Sequence, residues 1–86
     1  MTNTAAADIR AQLTELGFIP PGSPIGDGQS LFDARILDSL RLMELVTRLE
    51  AKFGIRVGQD DLTPDNFDSI AEMSRYIGEQ LGNRAS

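Results

Sequence analysis

The apolar periodicity between Asp38 and Gly54 is the strongest constraint on what this chain can fold into. At about 100° per residue, the apolar side chains of this segment gather within about 100° of one another on one face. They are Leu42, Leu45, Val46, Leu49 and Phe53. A stripe of this width predicts an amphipathic helix packed against a core, and Gly54 is a typical residue to end it.

Two further helices are predicted on either side. Residues 4–17 form the first, with Ile9, Leu13 and Leu16 at helical spacing and Gly17 at its end. The last runs from about Ser69 to Leu81, with Gly82 as its cap and frayed residues after it. Its core face is predicted to contain Ile70, Met73, Ile77 and Leu81.

The segments between the helices are rich in residues that break helices. Residues 18–30, "FIPPGSPIGDGQS", hold three of the four prolines and predict a long connection anchored by Ile25, Leu31 and Phe32. After Gly54, Ile55 and Val57 should pack in a loop, and Phe67 should enter the core. Residues 59–64 allow no more than one helical turn, beginning near Asp60 or Asp61.

No segment predicts a strand, so the expected fold is all-α: a small four-helix bundle of three long helices and one short one. The 86 residues should form a single domain, 1–86, with an ordered core at about residues 5–81. No apolar run approaches the roughly 20 residues of a membrane span and no signal peptide opens the chain. A cytoplasmic monomer with no membrane partner is expected.

The residue types that are missing restrict the chemistry. The chain has no Cys and no His, which removes the thiolate, the commonest general base and the commonest metal ligand. A hydroxyl nucleophile needs an adjacent base, and the single lysine, Lys52, is far along the second helix from Ser39. Self-contained catalysis is therefore not expected. The net charge of −5 also argues against a nucleic-acid partner.

The dipeptide Asp-Ser precedes a predicted helix twice. Ser69 is followed three residues later by Glu72, the capping-box spacing, which explains that pair completely. Asp38-Ser39 lacks such a partner, so Asp38 alone can cap the helix and the Ser39 hydroxyl should be exposed in the first turn. A free hydroxyl there is usually inert, and spacing alone leaves its role open.

Two apolar residues lie off the stripe of the second helix. Leu40 is about 160° away from it, on the outward face with Glu44, Thr47, Arg48 and Ala51, and Met43 is about 100° away. Leu40 fits a docking patch and a position beneath the long loop equally well. For Met43, the periodicity favours packing against a neighbouring helix.

At this point the stretch "ILDSLRLMELVTRLEAKFGIRV" resembles the second helix and following loop of acyl carrier and peptidyl carrier proteins. The resemblance covers about Leu31 to Ile77. The residues that carry it are Asp38-Ser39-Leu40, Met43-Glu44-Leu45, Leu49 and Phe53.

The resemblance implies that Ser39 is the attachment point of a 4′-phosphopantetheine arm, which a phosphopantetheinyl transferase takes from coenzyme A. Asp38 would assist that modification. Leu40, Met43 and Glu44 match positions by which carriers dock with enzymes, and Arg41 and Arg48 depart from the acidic fatty-acid type. Partners tuned to a uniformly acidic helix should therefore bind poorly.

The sequence around residues 53–70 is most similar to free-standing carriers of polyketide and nonribosomal peptide biosynthesis. Such a carrier is non-catalytic and holds an acyl or aminoacyl thioester. Its partners would be an adenylating enzyme or acyltransferase that loads it and a downstream synthase or transferase. The cargo, and excision from a larger synthase, stay open.

Two other functions were weighed against a carrier. One is an unmodified helical interaction module that docks through Leu40 and Met43. The other is a carboxylate-based hydrolase using Asp27, Asp33 or Asp38, for which the sequence offers no rigid pocket. No metal site is expected at Asp60, Asp61 and Asp65, because the ligand spacing and central glycine of a calcium loop are missing.

Overall fold

The computed structural model describes residues 4–85, and the side chains of residues 5–82 within them. Four α-helices follow one another in this part of the chain, which contains no strand. They are α1 (Thr4–Glu15), α2 (Ser39–Phe53), α3 (Pro64–Phe67) and α4 (Ile70–Ala85). A 3₁₀ turn at Gln59–Asp61 precedes α3. The predicted all-α bundle of three long helices and one short helix is confirmed.

The ends of α1 and α2 follow the glycine signals. Gly17 takes a left-handed conformation with φ of 81°, and the N–H groups of Gly17 and Phe18 donate to the carbonyls of Thr14 and Leu13. Gly54 has φ of 67°, and its N–H donates to the Glu50 carbonyl at 2.9 Å. A glycine adopts such φ values without the steric cost that a Cβ brings.

The core lies where α1 packs against α2 and α4, with α3 against α4. The predicted stripes supply most of it, and the long connection adds Ile19, Ile25, Leu31 and Leu37. Phe67 is buried and its ring lies 5.2 Å from that of Tyr76. Phe53 is only half-buried at the edge of the core.

Two side chains fasten the long connection to the helices. Arg10 of α1 donates to the Ile25 carbonyl at 2.8 Å and forms an ion pair with Asp27 at 2.6 Å. Asp68, between α3 and α4, accepts hydrogen bonds from the Ser30 hydroxyl at 2.7 Å and the Phe32 N–H at 3.3 Å. Arg10 therefore binds the long connection to α1, and Asp68 binds it to the segment between α3 and α4.

Two predictions about the C-terminal half were wrong. The helix α4 continues through Gly82 to Ala85, because Gly82 does not take the left-handed conformation that would end it. Leu81 is 38% exposed although it is in phase with the core face. The single helical turn predicted within residues 59–64 is present as the 3₁₀ turn at Gln59–Asp61, and a further short helix at Pro64–Phe67, with Pro64 at its first position, was not predicted.

Candidate functional site

The start of α2 separates the roles of Asp38 and Ser39. Asp38 is the N-cap residue, in extended conformation, and its side chain accepts a hydrogen bond from the Arg41 N–H at 2.8 Å. Ser39 is the first helical residue and is exposed. The prediction that Asp38 caps the helix while Ser39 is exposed is confirmed. Ser39 is thus not needed to cap the start of the helix.

The second Asp-Ser pair has the opposite arrangement. Ser69 is only 5% exposed, and its hydroxyl accepts a hydrogen bond from the Glu72 N–H at 3.1 Å. Asp68 was missed by the sequence reasoning as the residue that binds the Ser30–Phe32 segment. Contacts between residues more than 30 positions apart leave no local pattern, so no signal in the sequence could have revealed this one.

The outward face of α2 exposes two large apolar side chains. Leu40 is 77% exposed, which excludes its burial beneath the long loop, and Met43 is 52% exposed. The expectation that Met43 packs against a neighbouring helix was wrong, because no described element covers the edge of the stripe at which it lies. Leu40 and Met43 therefore form an exposed apolar pair, with Ser39 beside Leu40 on the same first turn.

The two arginines of α2 turn back onto the protein. The Arg41 guanidinium lies 5.3 Å from the Phe18 ring centre and donates to the Ile36 carbonyl at 3.2 Å. Arg48 lies 3.6 Å from a carboxylate oxygen of Glu15 on α1. Both side chains are exposed, but these contacts direct them away from the apolar pair.

An open groove of about 370 Å³ runs between α1 and α2. Its lining combines one apolar residue just after the end of α1 with the outward face of α2, and consists of Leu16, Glu44, Thr47, Arg48 and Ala51. Two predicted docking residues, Glu44 and Arg48, thus lie together on its wall.

Two of the three carboxylates suggested for catalysis, Asp27 and Asp38, have structural partners, and so does Asp61, which was suggested for a metal site. Asp27 pairs with Arg10, and its carbonyl accepts the Ala71 N–H at 2.8 Å. Asp38 caps α2 and Asp61 accepts a hydrogen bond from the Tyr76 hydroxyl. Within residues 4–85 no three acidic side chains come close enough together to hold a metal ion. In the same range no helix is long and apolar enough to cross a bilayer.

Comparison with known protein families shows to which family this chain belongs. The family model described as "Phosphopantetheine attachment site" matches residues 7–77, which include all of the features above. The chain is a carrier protein of this family. Its members are non-catalytic and carry covalently attached 4′-phosphopantetheine.

Curated relatives agree with this assignment of the carrier. Aminoacyl carrier protein 2 of Bradyrhizobium diazoefficiens is 40% identical over 47 residues, which are 55% of this chain and 53% of the relative. The D-alanyl carrier protein of Streptococcus thermophilus is 34% identical over 75 residues, 84% of this chain and 94% of the relative. That of Streptococcus pyogenes serotype M5 is 33% identical over 51 residues, or 59% and 65%. No solved structure gives a significant match.

The residues at the start of α2 fit a phosphodiester. The exposed Ser39 offers a hydroxyl at the first position of a 15-residue helix. The first N–H groups of a helix lack intrahelical partners, and the helix dipole favours an anion there. Asp38 takes one of these N–H groups through Arg41. The carrier therefore has an accessible oxygen at a helix terminus that favours an anion, beside the negative charge of Asp38, which does not.

Proposed function

We propose that Ser39 accepts the 4′-phosphopantetheine group and that the carrier holds an aminoacyl group as a thioester on this arm. The observation that supports this most is the exposure of the Ser39 hydroxyl at the start of α2, while Asp38 supplies the cap. A serine without a structural role, within the region that the family model matches, is available for modification.

The transfer step uses coenzyme A and a separate phosphopantetheinyl transferase. The Ser39 Oγ attacks the phosphorus that bears pantetheine, and the bond from this phosphorus to the bridging oxygen breaks. Adenosine 3′,5′-bisphosphate leaves, and the serine proton passes to a base of the transferase. Asp38 remains exposed beside the reacting oxygen, where it can help to position the transferase's metal ion. Once attached, the arm would supply a thiol to which an aminoacyl group could pass from an aminoacyl adenylate made by the loading enzyme, forming the thioester and releasing AMP.

An aminoacyl cargo is favoured by the names of the relatives. Aminoacyl carrier protein 2 and the D-alanyl carrier proteins are both named for an amino acid attached to the carrier. An adenylating enzyme is accordingly the proposed loading partner, rather than an acyltransferase. Secondary metabolism, with a nonribosomal peptide or mixed polyketide product, stays a prediction from the resemblance.

The exposed apolar pair, Leu40 and Met43, is the proposed docking surface for the loading enzyme and for the downstream synthase or transferase. Glu44 adds one carboxylate beside it and remains exposed. Since Arg41 and Arg48 are directed towards Phe18 and α1, they contribute at the rim of this surface. A partner with an apolar patch and few compensating charges should therefore bind best.

An intact-mass measurement tests the attachment. The apo protein is incubated with coenzyme A and a broad-specificity transferase, beside Ser39→Ala under the same conditions. The wild type should gain one phosphopantetheine and Ser39→Ala none. An unmodified wild type, or an equal gain by the variant, would contradict the proposal.

A second experiment tests docking and separates the carrier from an unmodified interaction module. For the carrier, Leu40→Ala and Met43→Ala should weaken the binding of the holo protein to its loading enzyme without loss of folding, and Thr47→Ala should have little effect. Thr47 lies on the same helix and is also exposed. An interaction module would bind its partner equally well after Ser39→Ala and would never acquire the arm.

A further inference from the structure

Arg35 has the backbone conformation of a glycine. Its φ is 61°, the one positive value at a non-glycine residue within residues 4–85. The turn at residues 31–35 closes through the Ile36 N–H to the Leu31 carbonyl at 2.9 Å and the Arg35 N–H to the Phe32 carbonyl at 3.0 Å. Glycine is the usual residue at such a position, since a Cβ is strained there. Strain of this kind is frequent at functional sites.

The Arg35 side chain has no partner in the described part of the protein. It is exposed, and none of the hydrogen bonds or ion pairs within residues 4–85 involves its guanidinium. Arg41 is the other cation within five residues of Ser39, and its guanidinium is occupied by Phe18 and the Ile36 carbonyl. Arg35 is therefore the cationic residue without a partner that lies nearest to Ser39 in the sequence.

The charges close to Ser39 in sequence would oppose a bound phosphate. Asp38 is adjacent to Ser39, and Glu44 and Asp33 are exposed on either side in sequence. A phosphodiester on Ser39 would add a further negative charge to this group. An arginine offsets such repulsion better than the helix terminus alone, because its planar guanidinium can donate two parallel hydrogen bonds to a phosphate.

We propose that Arg35 binds the phosphodiester of the phosphopantetheine arm on Ser39 and positions the first part of the arm. The inference rests on the proposed attachment to Ser39. Ser39 follows Arg35 by four positions in the sequence, so their Cα atoms lie no more than about 14 Å apart. An extended arginine and a serine phosphodiester can together bridge that span. A glycine would adopt this backbone conformation with less strain. The strain at Arg35 is then tolerated because the position requires a cation.

The test compares apo and holo forms of the wild type and four variants. Arg35→Gln keeps the strain and removes the charge, Arg35→Lys keeps both but loses the planar donor pair, and Arg35→Gly removes both. Arg56→Gln is the matched control, since Arg56 is exposed, also without a partner in the described residues, and on the far side of α2 in sequence. The first readout is the change in thermal midpoint when the arm is attached, measured by calorimetry.

Attachment of the arm should raise the thermal midpoint more in wild type and Arg56→Gln than in Arg35→Gln or Arg35→Gly, with Arg35→Lys between them. Arg35→Gly should also have a more stable apo form than Arg35→Gln, because its backbone is relaxed. If Arg35 were merely structural, Arg35→Gln would change the apo midpoint and leave the increment on attachment intact. An equal increment in wild type and Arg35→Gln would overturn the inference.

The second readout is the Nε–Hε resonance of Arg35 in nitrogen-labelled protein. It should shift on attachment of the arm while that of Arg56 stays in place, and free coenzyme A added to the apo protein should not reproduce the shift. An equal shift with free coenzyme A would show general anion binding and overturn positioning of the attached arm. If the protein gains an arm but its Arg35 resonance does not move, the inference alone fails. If no protein gains an arm, the proposed function fails with it.

Discussion

The Oδ1 atom of Asp68 accepts a hydrogen bond from the Ser30 hydroxyl at 2.7 Å and so joins two residues that are 38 positions apart. The same oxygen accepts the Phe32 N–H, and the Asp68 carbonyl accepts the Leu31 N–H at 2.6 Å. These bonds hold the turn that leads into α2. Asp68, from the second Asp-Ser pair, thus stabilises the segment that precedes Ser39 of the first pair.

Replacement of Asp68 by alanine should lower the free energy of unfolding by about 1–3 kcal/mol, because two donors lose a charged acceptor. Asp33→Ala is the matched control. The Asp33 side chain is exposed and only its backbone N–H is bonded, to the Ser30 hydroxyl, so its loss should stay within about 0.5 kcal/mol. Urea denaturation measures both. Equal losses of the free energy of unfolding in the two variants would show that the hydrogen bonds of Asp68 do not stabilise the fold.

A pair of leucines on α2 separates core from surface. Leu45→Ala should cost about 2–5 kcal/mol, because Leu45 is fully buried and its truncation leaves a cavity. Leu40→Ala should cost little, since Leu40 is 77% exposed. Denaturant midpoints at constant slope provide the comparison. A large loss at Leu40 would mean that this side chain is buried in solution.

The two serines should respond differently to truncation. Ser69→Ala removes a buried hydroxyl that caps α4, at a cost of about 0.5–2 kcal/mol. Ser39→Ala removes an exposed hydroxyl that caps nothing, and the free energy of unfolding should hardly change. Thermal unfolding of both apo variants checks this. A Ser39→Ala protein that unfolds as readily as Ser69→Ala would make Ser39 a structural residue.

Tyr76 predicts a loss of stability in alkaline solution. Burial, followed by the hydrogen bond to Asp61 and the negative charges of Asp61 and Glu50, raises the pKa of Tyr76 from 10.0 to about 12. The folded protein therefore retains the phenolic proton more strongly than the unfolded chain. The resulting stabilisation is complete below pH 10 and is lost as the pH rises from 10 towards 12.

The chain has a single tyrosine and no tryptophan, so ultraviolet absorbance titrates this residue directly. The titration midpoint should lie well above 10, and Tyr76→Phe should remove this part of the alkaline loss of stability. A midpoint at the ordinary value, together with the same alkaline loss in Tyr76→Phe, would contradict the assignment to this phenol.

The helices and the exposed serine could be predicted because they depend on local patterns. The stripe from Leu42 to Leu49, the cap at Asp38 and the ends at Gly17 and Gly54 are each set by neighbouring residues. The conformation of Gly82 and the exposure of Met43 could not be predicted in this way. They depend on the packing of the assembled bundle and not on neighbouring residues in the sequence.

The positive φ of Arg35 escaped prediction for a related reason. A left-handed residue is usually signalled by glycine or asparagine, and neither is present at this position. The anchors of the long loop were predicted by their apolar character, but the bonds of Asp68 and Arg10 that fasten it join distant parts of the chain. Only the folded structure brings these partners together.

The central claim is that the modifying transferase can reach the Ser39 hydroxyl and cannot reach its counterpart at Ser69. Peptide mapping by tandem mass spectrometry, after incubation of the folded protein with coenzyme A and transferase, tests this directly. The account predicts phosphopantetheine on the peptide that contains Ser39 and none on the peptide that contains Ser69. An arm on any other residue, or a Ser39 peptide that stays unmodified while a known carrier is fully converted alongside, would contradict it.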